Sequence, residues 1–353
     1  MKTLFLLMAA LILMGCQTNQ SPSNLKENAT FPVGTAIRAH QVVNDSSMQT
    51  IVNKDFNSIT LENGMKMYAV HRSPNQYNWK HVDDVVRFAQ QNYIRLHGHA
   101  FIWHSGTPGW ISEMQPDSTM LDKIMEDYIL TYGSRYKGKV AGWDVVNEAL
   151  LDGTGEFRKS IWYETMGEGY ISRAFELAHK ADPEAILFYN DFNIERDTVK
   201  LHAMLRMIEK LKAQDVPISG IGFQMHIRMD TDEKTIEYAL KKAAETGLQI
   251  HLSEIDIIFN KHDDTPGGGI QIHDELTDEM LQAQADKYQW LAEAYIRNVP
   301  PEQRYGMTVW GFSDKYSWIP SFFDLKDWPC IYDEDLNPKP AYYGFLRGLG
   351  TSK

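Results

Sequence analysis

Between residues 31 and 350 the chain alternates two hydrophobic rhythms. One is the short apolar run, bounded by polar or turn residues and too short for a helix, which reads as a buried strand. Such runs occupy Val33–Ile37, Ser58–Leu61, His97–Trp103, Gly142–Asn147, Ala185–Tyr189, Gly220–Met225, Gln249–Glu254 and Gly306–Trp310, eight in all. The other rhythm has apolar positions at i, i+3, i+4 and i+7, one face of a helix. Val82, Val85, Val86 and Ala89 follow it, as do Leu201, Met204, Leu205 and Ile208, and Tyr288, Leu291, Ala292 and Tyr295. Strands alternating with helices predict a parallel sheet with right-handed crossovers. The most economical form is α/β, a single closed (β/α)8 TIM barrel. An open doubly wound sheet competes, but it usually carries a glycine-rich phosphate turn after its first strand. Gly34-Thr35-Ala36 is not one.

In such a barrel the chemistry sits at the C-terminal strand ends. Here those ends carry Glu62-Asn63, His99, Trp103-His104, Asn147-Glu148, Asn190-Asp191, Gln224 and His226, Glu254 and Asp256, and Trp310. The N-terminal ends carry no comparable set. Glu148 and Glu254 each close an apolar run, at strands four and seven. A carboxylate at a strand mouth can meet substrate and still have its proton affinity tuned by burial. Two that face each other are the minimum for cleaving a glycosidic bond. The segment Lys261 to Glu275, with Pro266-Gly267-Gly268-Gly269, follows strand seven. It reads as a mobile active-site loop or as a plain surface loop.

Composition narrows the partners. With 353 residues, 43% hydrophobic, the chain can bury a large core. The net charge of -12 comes from 35 basic and 47 acidic residues without a basic stripe, so no nucleic-acid partner is expected. Nine Trp suit either an aromatic core or a saccharide site, where flat C–H faces stack on rings. The histidines lack metal-site spacing, and neither a metal nor a cofactor is expected.

The N-terminus reads as a targeting segment. Lys2 precedes the apolar run Leu4 to Met14, which ends in Leu13-Met14-Gly15-Cys16. The run is too short to span a bilayer. It looks like a bacterial lipoprotein cleavage box, with residues 1–15 removed and Cys16 lipidated. Residues 16–30 would then be a flexible polar tether and 31–353 the catalytic domain. The expectation is a membrane-anchored protein, periplasm-facing or at the cell surface, that touches membrane only through its lipid. Cys330 would be the one remaining thiol, so the core alone must supply stability.

The polar strand ends resemble those of glycoside hydrolase family 10, the retaining endo-β-1,4-xylanases, from about Phe31 to Leu349. The resembling segments are Glu62-Asn63-Gly64-Met65-Lys66, Gly98-His99-Ala100-Phe101-Ile102-Trp103-His104, Trp143-Asp144-Val145-Val146-Asn147-Glu148-Ala149, Gly222-Phe223-Gln224-Met225-His226, Ser253-Glu254-Ile255-Asp256 and Val309-Trp310 through Tyr316-Ser317-Trp318. All of them stand in family order.

The resemblance implies Glu148 as acid/base and Glu254 as nucleophile. An acid/base must hold a proton for the leaving oxygen and later take one from water. The nucleophile must stay ionised. Asn147 would contact the 2-OH of the sugar at the cleavage point. Glu62, Asn63 and Lys66 would clamp sugars on the non-reducing side. Trp310 and Trp318 would floor and roof the site, with Trp103, Gln224, His99 and His226 also on substrate. Either histidine also fits a satisfied core role. His104, Asp256 and Tyr316 would support these residues, and Asp256 fits a structural ion pair equally well. The implied partners are xylan and xylo-oligosaccharides, acted on by a monomer.

Two positions depart from the family pattern. Gly106 stands where Gln is usual, and Met67 where Trp is usual. The first removes an amide beside the cleavage-site sugar. That would either cost about 1 kcal/mol of binding or open room for a bulkier sugar or decoration.

Overall fold

The computed structural model describes residues 24–353. Eight parallel strands close into a barrel. They are β1 (Val33–Ile37), β2 (Ser58–Leu61), β3 (Arg95–Trp103), β4 (Gly142–Asn147), β5 (Ile186–Asp191), β6 (Gly220–Phe223), β7 (Gln249–Ile258) and β8 (Arg304–Val309). Each strand pairs with its sequence neighbour, and β8 pairs with both β1 and β7, so the barrel has no edge. The single-barrel expectation holds, and all eight expected strands form.

Both faces of each strand are covered, which is why the strands appear as continuous apolar runs. β1, β2, β4 and β6 are buried along their full length. The outer cover is a ring of helices, including Lys80–Gln91, Thr198–Ala213 and Asp278–Asn298. Their inward residues include Val82, Val85, Val86 and Ala89, then Leu201, Met204 and Ile208, then Tyr288, Leu291, Ala292 and Tyr295. Asp197 and Thr277 cap two of these helices, accepting the free N–H groups of the first turn.

Three register shifts matter for the site. They fall between His99 and Ile102 on β3, between Asp144 and Val146 on β4, and between Leu252 and Ile255 on β7. A bulge re-aims the side chains around it. These bulges lie where polar residues turn from the strand wall toward the barrel mouth.

One boundary moves. The tether expected over residues 16–30 overlaps a short helix, Leu25–Asn28, capped by Asn24. Leu25 is fully buried, and Asn28 donates to the Leu346 carbonyl. The Thr30 N–H meets Ser352 Oγ at 3.1 Å. Residues 24–30 therefore belong to the barrel domain. Leu25 is buried and its short helix packs against the C-terminal helix Pro340–Leu349, which a polar composition did not reveal. The leader 1–15 and Cys16 lie outside the described residues.

Candidate active site

The strand mouths surround a cleft of about 630 Å³. Glu62, Asn63, Lys66, His99, Trp103, His104, Asn147, Glu148, Gln224, His226, Glu254, Trp310 and Trp318 all line it. Asp256 and Tyr316 stand behind the wall. The Tyr316 carbonyl accepts from Arg38 Nη2, and Arg38 also grips Glu62. Tyr316 thus supports Glu62 through its carbonyl, while its ring packs against the core.

Glu254 is 3% exposed and held from three sides. Asn190 Nδ2 donates to its Oε1 at 2.7 Å. His226 Nε2 lies 3.6 Å from Oε2, and His99 Nδ1 lies 3.9 Å from Oε1. Burial on its own would raise the pKa of this carboxyl. The neighbours His99, His226 and Lys66 outweigh burial and hold it below the usual glutamate range.

His226 supplies much of that field. Burial disfavours its charge, but Asp256 and then Glu254 reverse the balance and push it up to about 10. It is therefore an imidazolium at neutral pH. Its Nδ1–H donates to Asp256 Oδ2 at 2.9 Å, and Trp318 Nε1 donates to the same oxygen at 3.0 Å. Asp256 thus orients a cation and an indole together.

Glu148 sits on a turn that its sequence does not favour. Its φ is 58°, in the left-handed region. Three neighbours hold the turn. The Glu148 N–H donates to the Asn190 carbonyl, Arg158 Nε donates to the Glu148 carbonyl, and the Ala149 N–H donates to the Tyr189 hydroxyl. The side-chain Oε1 accepts from Gln224 Nε2 at 3.0 Å and Asn147 Nδ2 at 3.2 Å. His104 Nδ1 stands 3.9 Å from Oε2. Burial lowers the His104 pKa to about 4, against the pull of Glu148, so this ring is neutral near pH 7.

Amides link the two carboxylates. Asn147 Oδ1 accepts from Asn190 Nδ2 at 2.9 Å and from Gln224 Nε2 at 3.2 Å. Asn190 reaches on to Glu254, and Gln224 to Glu148. Gly222 makes room for this arrangement, since a Cβ there would lie 2.1 Å from Asn190 Oδ1. Asn190 stood among the strand-end residues, yet nothing in its sequence neighbourhood marked it as the hub. Arg158, Phe192, Asn193, His262 and Asp264 also line the cleft and were not singled out. They come from loops and, for His262, from a two-residue strand, where no periodicity signals direction.

At the other end of the cleft Glu62 accepts from Arg38 Nε at 2.8 Å and from Asn63 Nδ2 at 3.1 Å. Lys66 Nζ donates to Asn63 Oδ1 at 3.1 Å and lies 4.5 Å above the Trp103 ring. Gly106 is buried beneath that same ring. A Cβ at 106 would come within 3.0 Å of it, so Trp103 fills space that a side chain would need. A side chain at 106 would thus press on Trp103. Met67 is likewise buried, 2% exposed, facing the core.

The arrangement is a sugar-sized trough with one carboxylate held ionised and another within reach of it through amides. Residues 23–347 match the family model described as Glycosyl hydrolase family 10. The chain belongs to glycosyl hydrolase family 10. It is 40% identical over 308 residues to Endo-1,4-beta-xylanase B of Thermotoga neapolitana, covering 86% of this chain and 83% of that protein. Xylanase 10B of Thermotoga petrophila RKU-1, solved with xylobiose, superposes with a TM-score of 0.86 at 34% identity, over 94% of this chain and 98% of that one. The family 10 structure from Paenibacillus barcinonensis gives a TM-score of 0.86 at 33% identity, over 91% and 96%. Family 10 membership makes the chain a hydrolase of glycosidic bonds. The segment Lys261 to Glu275 folds back as a short hairpin between Lys261–His262 and Gly269–Ile270, and its His262, Asp264 and Pro266 line the cleft.

Proposed function

We propose that this protein is an endo-1,4-β-xylanase that cleaves internal bonds of xylan with retention, Glu148 serving as acid/base and Glu254 as nucleophile. The observation that carries this reading is the asymmetry of the pair. Glu254 is buried yet held ionised by His226, His99 and Lys66, as a nucleophile must be. Glu148 is gripped through one oxygen, leaving Oε2 free of protein donors closer than His104. In the first step a Glu254 oxygen attacks the anomeric carbon. The Glu148 proton passes to the departing sugar oxygen. The resulting ester neutralises Glu254, and Glu148, now ionised, takes a proton from the water that releases the product. Asn147 and Gln224, bound to each other and to Glu148, would meet the sugar hydroxyl beside the cleaved bond. Lys66 and the Trp103, Trp310 and Trp318 rings would hold the sugars on the Glu62 side.

Product analysis on xylan with anomer detection by NMR tests the reading. The expected result is oligosaccharides released first as the β-anomer. Release of the α-anomer, or turnover of a β-1,4-glucan with none of xylan, overturns it. Glu254→Ala should lose at least roughly 10⁴-fold in kcat/KM even on an activated aryl xylobioside. Glu148→Ala should lose about 10²- to 10⁴-fold on poor leaving groups and far less on activated ones. The Leu13-Met14-Gly15-Cys16 box supports a lipid-anchored protein facing the periplasm or the cell surface. A Cys16→Ala variant that still partitions with membranes would refute the anchor.

A further inference from the structure

Beyond the Glu62-Asn63-Lys66 clamp the chain enters a four-residue helix, Met67–Val70. Met67 and Val70, three apart on one face, are buried. That spacing turns Tyr68 outward, and it is 40% exposed. An exposed tyrosine alone means little, but this one is tethered. Its hydroxyl lies 3.1 Å from Asn63 Oδ1, the same oxygen that accepts from Lys66 Nζ. Asn63 and Lys66 both line the cleft. The ring is thus held beside the clamp, one hydrogen bond out from Asn63 and just outside the residues that line the cleft.

We propose that Tyr68 is a sugar platform, receiving the β-1,4-linked pyranose that follows the clamped ones on the non-reducing side. The inference rests on the reading of the cleft given above. A pyranose offers a face of C–H groups, and an aromatic ring accepts that face at little entropic cost when its orientation is already set. The tether to Asn63 sets it. The clamp residues grip hydroxyls through charge and hydrogen bonds. Tyr68 adds apolar area where the trough opens to solvent, so it would serve long chains and leave short ones untouched. Gain in binding at this distance from the reacting carbon is equal in ground and transition states, so it appears in KM.

The test uses aryl β-xylosides with one to four xylose units, compared between the wild-type protein and Tyr68→Ala. Each added sugar extends the glycone by one position. The expected result is one step of the series at which the wild type gains and Tyr68→Ala does not. The difference should be roughly three- to tenfold in kcat/KM, carried by KM with kcat unchanged. Shorter substrates should be cleaved equally by both, and Tyr68→Phe, which keeps the ring, should retain most of the gain. Identical length profiles overturn the proposal. So does an equal loss on every substrate, which would mean that Tyr68 merely props up Asn63. Failure of the wild type on the whole xyloside series would instead strike the functional reading itself.

Discussion

His226 and His251 are both packed inside one barrel, yet their protons go opposite ways. His251 points into the floor, beside His97, Phe188 and Tyr305, and bonds Thr308 through Nε2 at 2.8 Å. Burial drives its pKa well below the ordinary value, and the nearby His97 and Arg95 push the same way. His226 suffers burial too, but Asp256 and Glu254 overcome it. The lesson is that depth sets the penalty and a partnered carboxylate decides whether it is met. The floor is aromatic, with Arg95 over the Tyr305 ring and Asp144 against His97, and it keeps His251 itself neutral. The mouth holds His226 charged beside the proposed nucleophile.

That contrast can be broken at either end. The largest effect is expected from His226→Asn, which removes the cation facing Glu254. It should lower kcat/KM by roughly 10- to 100-fold, measured on an aryl xylobioside. Asp256→Asn leaves the ring in place but takes away its strongest partner. A loss of about tenfold is expected, with His226 losing its proton at lower pH, readable by NMR of the ring.

Stability against pH gives the next contrast. His226 binds its proton more tightly folded than unfolded. Its contribution is complete below about 6.5 and is lost as pH rises toward about 10. His251 is the reverse, because the unfolded chain binds the proton that the fold refuses. Its cost appears as pH falls below about 6.5. Melting temperature against pH should therefore lose its alkaline decline in His226→Asn and part of its acid decline in His251→Gln. The smallest effect on catalysis is expected from His251→Gln, with kcat/KM within about twofold of wild type and a stability loss of about 1–2 kcal/mol. A large catalytic loss there would show that floor and mouth are coupled.

Much of this was legible along the chain. The strands appear in their expected places because both of their faces are buried, which leaves an unbroken apolar run. The two glutamates stand out because each ends such a run with a charge. Asn190 is uncharged and stands one residue before the end of β5, where an asparagine also caps or turns, so its role as hub was hidden. Arg158 arrives from a loop and His262 from a two-residue strand. Leu25 lies in a polar stretch that reads as tether, and only its burial in the fold reveals it as core.

The order of residues by itself determined the barrel and the polar rim, because hydrophobic period and strand-end position are local properties. It also brought out two carboxylates, Glu148 just past the end of β4 and Glu254, which the fold places inside β7 because that strand runs on to Ile258. Only the tertiary structure decided their state. His99, Lys66 and His226 lie 155, 188 and 28 positions from Glu254 in sequence, and the field they make exists only when the barrel closes. The same closure decided Gly106. Read alone it is a missing amide, but in the fold it packs against Trp103, which a Cβ there would crowd. Electrostatics and packing depend on distance through space, which the chain acquires only by folding.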